Sequence, residues 1–372
     1  MTLGWQEKPF ESCLDRFKVT AKIPKKQFAD AGQFPIVSQE ADFINGYWEN
    51  EADVCSLEAP VVIYGDHTQV VKYVDFDFVV GADGVKVLKP KDFIDPRFLY
   101  YFVMAHRVPS LGYARHYRHL KDQAIKYPPL EEQQRIVTVL DEAFEGLARA
   151  RAHAEANLEN TNELFRNTLA QRTNSEDFRR VMLSEVCDVR DGTHDTPKYV
   201  DEGVPLVTQK NIRPEGLSLE NVKLISHDNH TAIHRRSNVA EGDILISMIG
   251  VNRGMSCLVD RDDVFSIKNV GLIKDTPELN MDFLLYYLKS ADAEKYVEEA
   301  TNGGAQPFIG LGKLRAFPTP VPERAVQDRI AAELTEMREA VQALAANYEA
   351  QIKDFDDLRQ SLLQKAFAGE LT

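Results

Sequence analysis

No stretch of the 372-residue sequence approaches eighteen consecutive apolar residues, which excludes a conventional membrane-spanning helix. The opening MTLGWQEKPFESC lacks the basic segment and apolar run of a secretory signal, so export is not expected. Cysteine is scarce and scattered: Cys13, Cys55, Cys187 and Cys257 form no CxxC pair. That pattern excludes a disulfide framework or a cysteine zinc site and fits a reducing cytoplasm. Nucleophile elbows, phosphate loops and HExxH are missing as well, so the chain offers no coherent catalytic constellation. A surplus of basic charge is the last absence. Formal net charge is -14, whereas non-specific polyanion binding driven by counterion release needs a basic surface. The acidic excess is spread along the chain rather than gathered in a tail. Against it GYARHYRHLK, Gly112 to Lys121, concentrates arginine, lysine, histidine and tyrosine.

What the sequence does contain is a repeat. FPIVSQ (Phe34 to Gln39) returns as VPLVTQ (Val204 to Gln209), and RFLYYFV (Arg97 to Val103) returns as DFLLYYL (Asp282 to Leu288). Farther on, one constant offset without a gap pairs Gln133 with Gln327, Ile136 with Ile330, Leu140 with Leu334, Glu142 with Glu336 and Leu169 with Leu363. The whole chain is one unit written twice. Each copy runs from short apolar segments broken by Gly, Pro and Asp, through a proline cluster, into a long helical pattern. The clusters are Pro128 and Pro129 in one copy and Pro318, Pro320 and Pro322 in the other.

The second helical pattern steps by fours and threes through Ile330, Leu334, Met337, Val341, Leu344 and Tyr348, then through Phe355, Leu358 and Leu362. Equivalent positions in the first are Ile136, Leu140, Ala143, Leu147 and Ala150, continuing through Ala154, Asn157, Thr161, Leu164 and Thr168. One seam is rich in alanine where the other is bulky, which is the complementarity a close-packed pair needs. About 40 helical residues span roughly 60 Å, too long to lie on one small domain without overhang. The expected class is therefore mixed α/β (α+β), with two globular domains joined by two long antiparallel helices and related by a pseudo-twofold repeat. The expected boundaries are 1–128, 129–173, 174–320 and 321–372. Two unlike heads on a helical spacer would read two things at a set separation, and duplex DNA, which repeats its face about every 34 Å, is the natural target.

Four segments carry a family likeness: DGTHDTPKYVDEGVPLVTQKNI (Asp191 to Ile212), EGDILISMIGVNRG (Glu241 to Gly254), PPLEEQQRI (Pro128 to Ile136) and LRQSLLQKAFAGELT (Leu358 to Thr372). With them the chain resembles the specificity subunit of type I restriction-modification enzymes over essentially its full length. The first head, with KIPKKQFADAGQFPIVSQ in place of the DGTH opening, departs from the second and is expected to read a different sequence. The resemblance implies two target recognition domains that each read half of a bipartite double-stranded DNA site. It also implies helices that dock two methyltransferase subunits, with restriction subunits joining that core. S-adenosylmethionine, ATP and Mg would belong to those partners, and this chain would bind no cofactor and no metal.

Arg or Lys suits guanine, Asn or Gln suits adenine, and any of them suits phosphate. On that chemistry the candidate contacts of the first head are Ser38, Gln39, Asn45, Tyr47, Trp48, Arg115, Tyr117, Arg118 and Lys121. Those of the second are Thr193, His194, Lys198, Tyr199, Gln209, Lys210, Asn211, Arg213, Asn252, Arg253, Asn302 and Gln306. Phe98, Tyr101, Phe283 and Tyr286 fall at helical spacing and are expected in the core. Phe308 to Gly312, FIGLG, fits a cofactor-binding FxGxG, but prolines follow where a cofactor loop should open a helix, so a structural turn is expected. His227, His230 and His234 could share a helical face, yet Arg235 and Arg236 follow them and oppose a dication, so a surface helix is expected. The rival readings are a single-chain DNA methyltransferase or nuclease with degenerate motifs, and a coiled-coil scaffold that never touches DNA.

Overall fold

The computed structural model describes residues 4–107, 112, 114–301 and 307–371. The chain divides into two compact units, Met1–Glu155 with Glu349–Thr372, and Ala156–Tyr348.

In the first unit, Gln6–Pro9 pairs antiparallel with Ala124–Tyr127 and closes the head next to the proline cluster. A four-stranded antiparallel sheet follows the order Leu14–Asp15, Val85–Pro90, Val61–Gly65, Val71–Val74. A second sheet runs Lys22–Pro24, Val79–Ala82, Phe34–Val37, Gly46–Trp48, parallel across its first three strands. Helix Pro96–Ala105 packs on the first sheet and starts where the sequence says it should. Asp95 Oδ1 accepts the N–H groups of Arg97 and Phe98 at 2.8 and 2.9 Å, and Pro96 sits at the first turn, where its missing N–H costs nothing. Phe98, Leu99, Tyr101 and Phe102 point into the core as their spacing requires.

The second unit repeats this plan. Arg180–Met182 pairs with Pro318–Pro320, and an antiparallel sheet runs Val189–Asp191, Val270–Ile273, Ile244–Ser247, Ser256–Leu258. Its other sheet runs Tyr199–Val200, Lys223–Ile225, Val204–Val207, Ser266–Ile267. Helix Met281–Leu288 is capped by Asn280, which accepts Phe283 N–H at 3.0 Å, and Phe283 and Tyr286 are buried.

The duplicated hexapeptide forms the same strand in both units. Ile36 and Val37 align in parallel with Val79 and Val80, and Leu206 and Val207 with Ser266 and Ile267. In each copy the parallel ladder begins one residue after the proline, so the absent proline N–H interrupts no parallel rung.

The long helices are Leu130–Thr173 and Arg324–Ala368, of 44 and 45 residues. Within the first unit they run antiparallel: Ile136 and Leu140 share a core with Leu363 and Ala366, while Arg151 meets Asp356 at 2.7 Å. Within the second unit Leu169 packs with Ile330, Ala331 and Leu334, and Arg172 lies 3.5 Å from Glu333. The sequence seam is buried at Ile136, Leu140, Ala154 and Thr161, although Asn157 between the last two is exposed. It then fails. Leu164, Leu344 and Leu358 are exposed by 59, 41 and 48 %, while the buried side of the central helix moves to Leu169 and Thr173. A strict seven-residue repeat drifts around a straight α-helix, so the contact line advances from Thr161 by fours and leaves Leu164 outside it. Ala143, Leu147, Ala150, Met337, Val341 and Tyr348 are half-buried.

FIGLG departs from expectation in one respect. Gly310 does cap a helix, Leu311–Arg315, but that helix is five residues long and runs at once into the Pro318–Pro320 strand. His227, His230 and His234 lie on helix His227–Ser237 as expected, with His230 Nδ1 2.9 Å from Ser266 Oγ. Among the described residues no group of three or more His, Cys, Asp or Glu is arranged to hold a metal ion, and no helix is long and apolar enough to cross a membrane.

Candidate nucleic-acid interface

The end of the repeated strand organises each candidate surface. In the first head Asn45 Oδ1 accepts both the N–H and the hydroxyl of Ser38 at 2.8 Å. In the second, Asn211 Oδ1 accepts the N–H of Thr208 at 2.9 Å and its hydroxyl at 3.1 Å. Asn45 Nδ2 donates to the Asp42 carbonyl, and Asn211 Nδ2 to that of Ser218. Both asparagines therefore hold the loop that follows the strand, their amides engaged within the protein. The glutamines that end the phrase are also matched. A β-carbon at Gly84 would lie 2.6 Å from Gln39 Oε1, and one at Gly250 would lie 2.8 Å from Gln209 Oε1. Both glycines have positive φ, +75° and +74°, so each glutamine amide lies on a turn that only glycine makes readily.

There the heads diverge. Gln39 Oε1 accepts the His67 N–H at 3.2 Å, whereas Gln209 Oε1 is buried without a hydrogen-bond partner. Gln209 lines a cavity of ≈ 480 Å³ with Tyr199, Lys210, Asn211 and Arg213. Five sequence candidates thus come together, joined by Lys268 and Asn269, which sequence reasoning missed. Lys210 and Tyr199 are exposed, and Arg213 is held loosely by Glu220 at 3.6 Å. Cations, an amide and an aromatic ring around one concavity match the chemistry of phosphate and base-edge contact.

Beside it, His194 is fixed from both sides, its Nδ1 3.0 Å from Asn269 Oδ1 and its Nε2 3.0 Å from Asp191 Oδ2. Asn269 adopts the left-handed conformation at φ 54°, which aims its amide at the ring. Thr193 joins the strand edge through its N–H to the Ile267 carbonyl, and Lys198 is exposed. Asn252 and Arg253 stand apart from this group, in a cavity of ≈ 450 Å³ lined also by Ser256 and Lys289. Arg253 Nε donates to Thr301 Oγ1 at 3.0 Å. Burial pushes the Lys289 ammonium below its ordinary range, and Arg338 nearby adds to that. Asn302 and Gln306 lie outside the described residues.

In the first head Arg115, Arg118 and Lys121 are exposed around the short helix Tyr117–Lys121. A buried carboxylate secures that segment: Asp66 Oδ1 accepts the Tyr117 N–H at 2.9 Å, and its carbonyl accepts that of His116 at 2.8 Å. The Tyr117 ring turns inward against Phe10 and Tyr64, and burial raises its phenol pKa. Trp48 is also tied inward, donating from Nε1 to Asp53 Oδ2 at 2.9 Å, and Tyr47 is a strand residue whose N–H meets the Ala29 carbonyl. Lys72 was missed by sequence reasoning. It is only 4 % exposed and donates to Asn45 Oδ1 at 3.0 Å and to the Asp42 carbonyl, so it holds the loop after Gln39 from beneath. Burial pushes its pKa down to about 8, against the opposing influence of Asp42 and Glu40.

Comparison with known proteins places this geometry. Residues 5–158 match the family described as the type I restriction modification DNA specificity domain. The specificity subunit of the type I restriction enzyme EcoBI from Escherichia coli is 22% identical over 180 residues, which cover 46% of this chain and 36% of that subunit. The aligned part thus spans about a third of the curated relative. Among solved structures, the HsdS subunit from Thermoanaerobacter tengcongensis superposes with a TM-score of 0.62 at 20% identity, over 100% of this chain and 98% of that one. A chain from a structure concerned with complex assembly and conformational transition of the type I R-M system gives 0.77 at 20% identity, over 99% of both chains. At that identity the likeness establishes the fold: two domains of mixed helix and sheet, joined by a long helix. The chain resembles type I specificity subunits in its family match and in its fold.

Proposed function

We propose that this chain is the DNA-specificity subunit of a type I restriction-modification complex. It binds an asymmetric bipartite duplex site, one half-site at each head, and performs no chemistry itself. The observation that supports this most directly is one scaffold carrying two different surfaces. The same strand is followed by Ser38-Gln39 in one head and Thr208-Gln209 in the other, yet Gln39 Oε1 is occupied by His67 and Gln209 Oε1 is not. A duplicated frame with changed polar contacts suits two unlike half-sites.

On this reading the long helices recruit two methyltransferase subunits, and restriction subunits join them. S-adenosylmethionine, ATP and Mg act on those partners. The acidic excess then has a use, because carboxylates away from the DNA face repel phosphate and meet basic partner surfaces. The complex works on DNA in the cytoplasm of its cell. Methylome sequencing with and without the gene is the test: a modified bipartite motif should vanish on deletion, and its persistence overturns the proposal. Exchanging residues 174–318 for another recognition segment should alter one half-site alone.

A further inference from the structure

Among the contacts that hold each head to its long helix, two recur at corresponding residues of the repeat in both copies. Gln133, 0 % exposed, accepts the Asp95 N–H at 2.8 Å and donates to the carbonyls of Phe93 and Pro128 at 2.9 and 2.8 Å. Gln327, 1 % exposed, accepts the Asn280 N–H at 2.7 Å and donates to the carbonyls of Glu278 and Pro322 at 3.3 and 2.9 Å. Asp95 and Asn280 cap the head helices Pro96–Ala105 and Met281–Leu288. One side-chain amide thus ties the start of the head helix to the start of the long helix. The second point lies the same distance along both helices in each copy. Tyr101 donates its hydroxyl to Asp141, which also accepts Arg97 Nε at 3.1 Å, and the Tyr286 hydroxyl lies 3.0 Å from Thr335 Oγ1.

A single contact lets one rigid helix swing on another, whereas two contacts separated along both helices fix the crossing direction. None of these four residues belongs to the candidate DNA surfaces, and all are buried within their own unit. Their shared geometry therefore bears on how a head stands on its helix, not on which bases it meets. We infer that Gln133 with Tyr101, and Gln327 with Tyr286, are positioning residues that set the head angle and thereby the spacer length accepted between half-sites. This rests on the bipartite reading above.

The test uses the whole assembled complex carrying Tyr101→Phe, Tyr286→Phe, Gln133→Met or Gln327→Met, with genome methylation mapped for each. Half-site bases should stay as in the wild type, while methylation at spacers one base pair longer or shorter should rise about tenfold, the ratio that a weakening of roughly 1.4 kcal/mol in discrimination gives. Unchanged spacer selectivity in both tyrosine variants overturns the inference, and so does a change in the half-site bases. The tyrosine variants lose one oxygen each, so they decide the matter even where a glutamine variant fails to accumulate. A wild-type complex that modifies no bipartite motif removes the parent reading itself, an outcome distinct from a wild-type motif whose spacer the variants leave untouched.

Discussion

The Asp191 carboxylate, 3 % exposed, accepts Arg236 Nε at 2.7 Å on one oxygen and faces His194 Nε2 at 3.0 Å on the other. Asp191 begins the DGTH segment and Arg236 ends a helix, so this bond ties the surface loop of the second head to the helix behind it. Replacing Asp191 with Ala removes the acceptor of the guanidinium and one of the two partners of the imidazole, which keeps Asn269. Arg236 is half exposed and regains water, which limits the penalty to about 2 kcal/mol. Urea denaturation should show that loss, and a gel shift of the assembled complex should weaken at one half-site only.

Gln209 and Lys210 are neighbours with different expected effects. A glutamine amide pairs in two places with adenine, so Gln209→Ala should cost about 1–3 kcal/mol at one base pair and relax specificity there. Lys210 is an exposed cation, and a phosphate contact carries no sequence information. Lys210→Ala should therefore weaken all sequences alike and lower the slope of log affinity against log salt by about 1. Titrations of matched and mismatched duplexes at several salt concentrations separate the two outcomes.

Lys72 gives a pH dependence with a definite sign. Its folded pKa is lowered to about 8 from an ordinary 10.5, so between those values the unfolded chain holds the proton and the folded one does not. Stability from this group then rises with pH across that window, and the burial penalty is fully present below about 8. Lys72→Met removes the titration but also the donors to Asn45 and Asp42. The difference in unfolding free energy between wild type and variant, measured from pH 7.5 to 10, should grow in favour of the wild type as pH rises.

Much of this was legible in the sequence for local reasons. Asp95-Pro96 announces a helix start because capping and proline geometry act within a few residues, and the same holds for the proline clusters before Leu130 and Arg324. The hexapeptide repeat gave equivalent strands because its apolar residues have one buried environment in both heads. The direction of a polar side chain is different. Asn45 and Asn211 read as surface amides, but an asparagine near its own backbone competes for local hydrogen bonds, and both turned inward. Lys72 in VKYV reads as the solvent side of a strand, yet a loop distant in sequence covers it. Lys268 and Asn269 join the second cavity only because they follow the strand Ser266–Ile267, which runs beside the repeated one.

The helical seam provides the last test, because two leucines that one heptad pattern treats alike have opposite surroundings. Leu140 is 0 % exposed and packs in the core with Leu363 and Ala366, whereas Leu164 is 59 % exposed. Truncating a buried leucine removes its transfer energy and leaves a cavity, so Leu140→Ala should cost about 2–4 kcal/mol. Leu164→Ala removes little buried area and should change stability by less than about 0.5 kcal/mol, since alanine is at least as good a helix former. Thermal melts of the two variants check this directly. Equal losses would mean that the seam keeps its seven-residue period past Thr161 and that the drift by fours is wrong; a large loss at Leu140 alone places the contact line along Leu169 and Thr173.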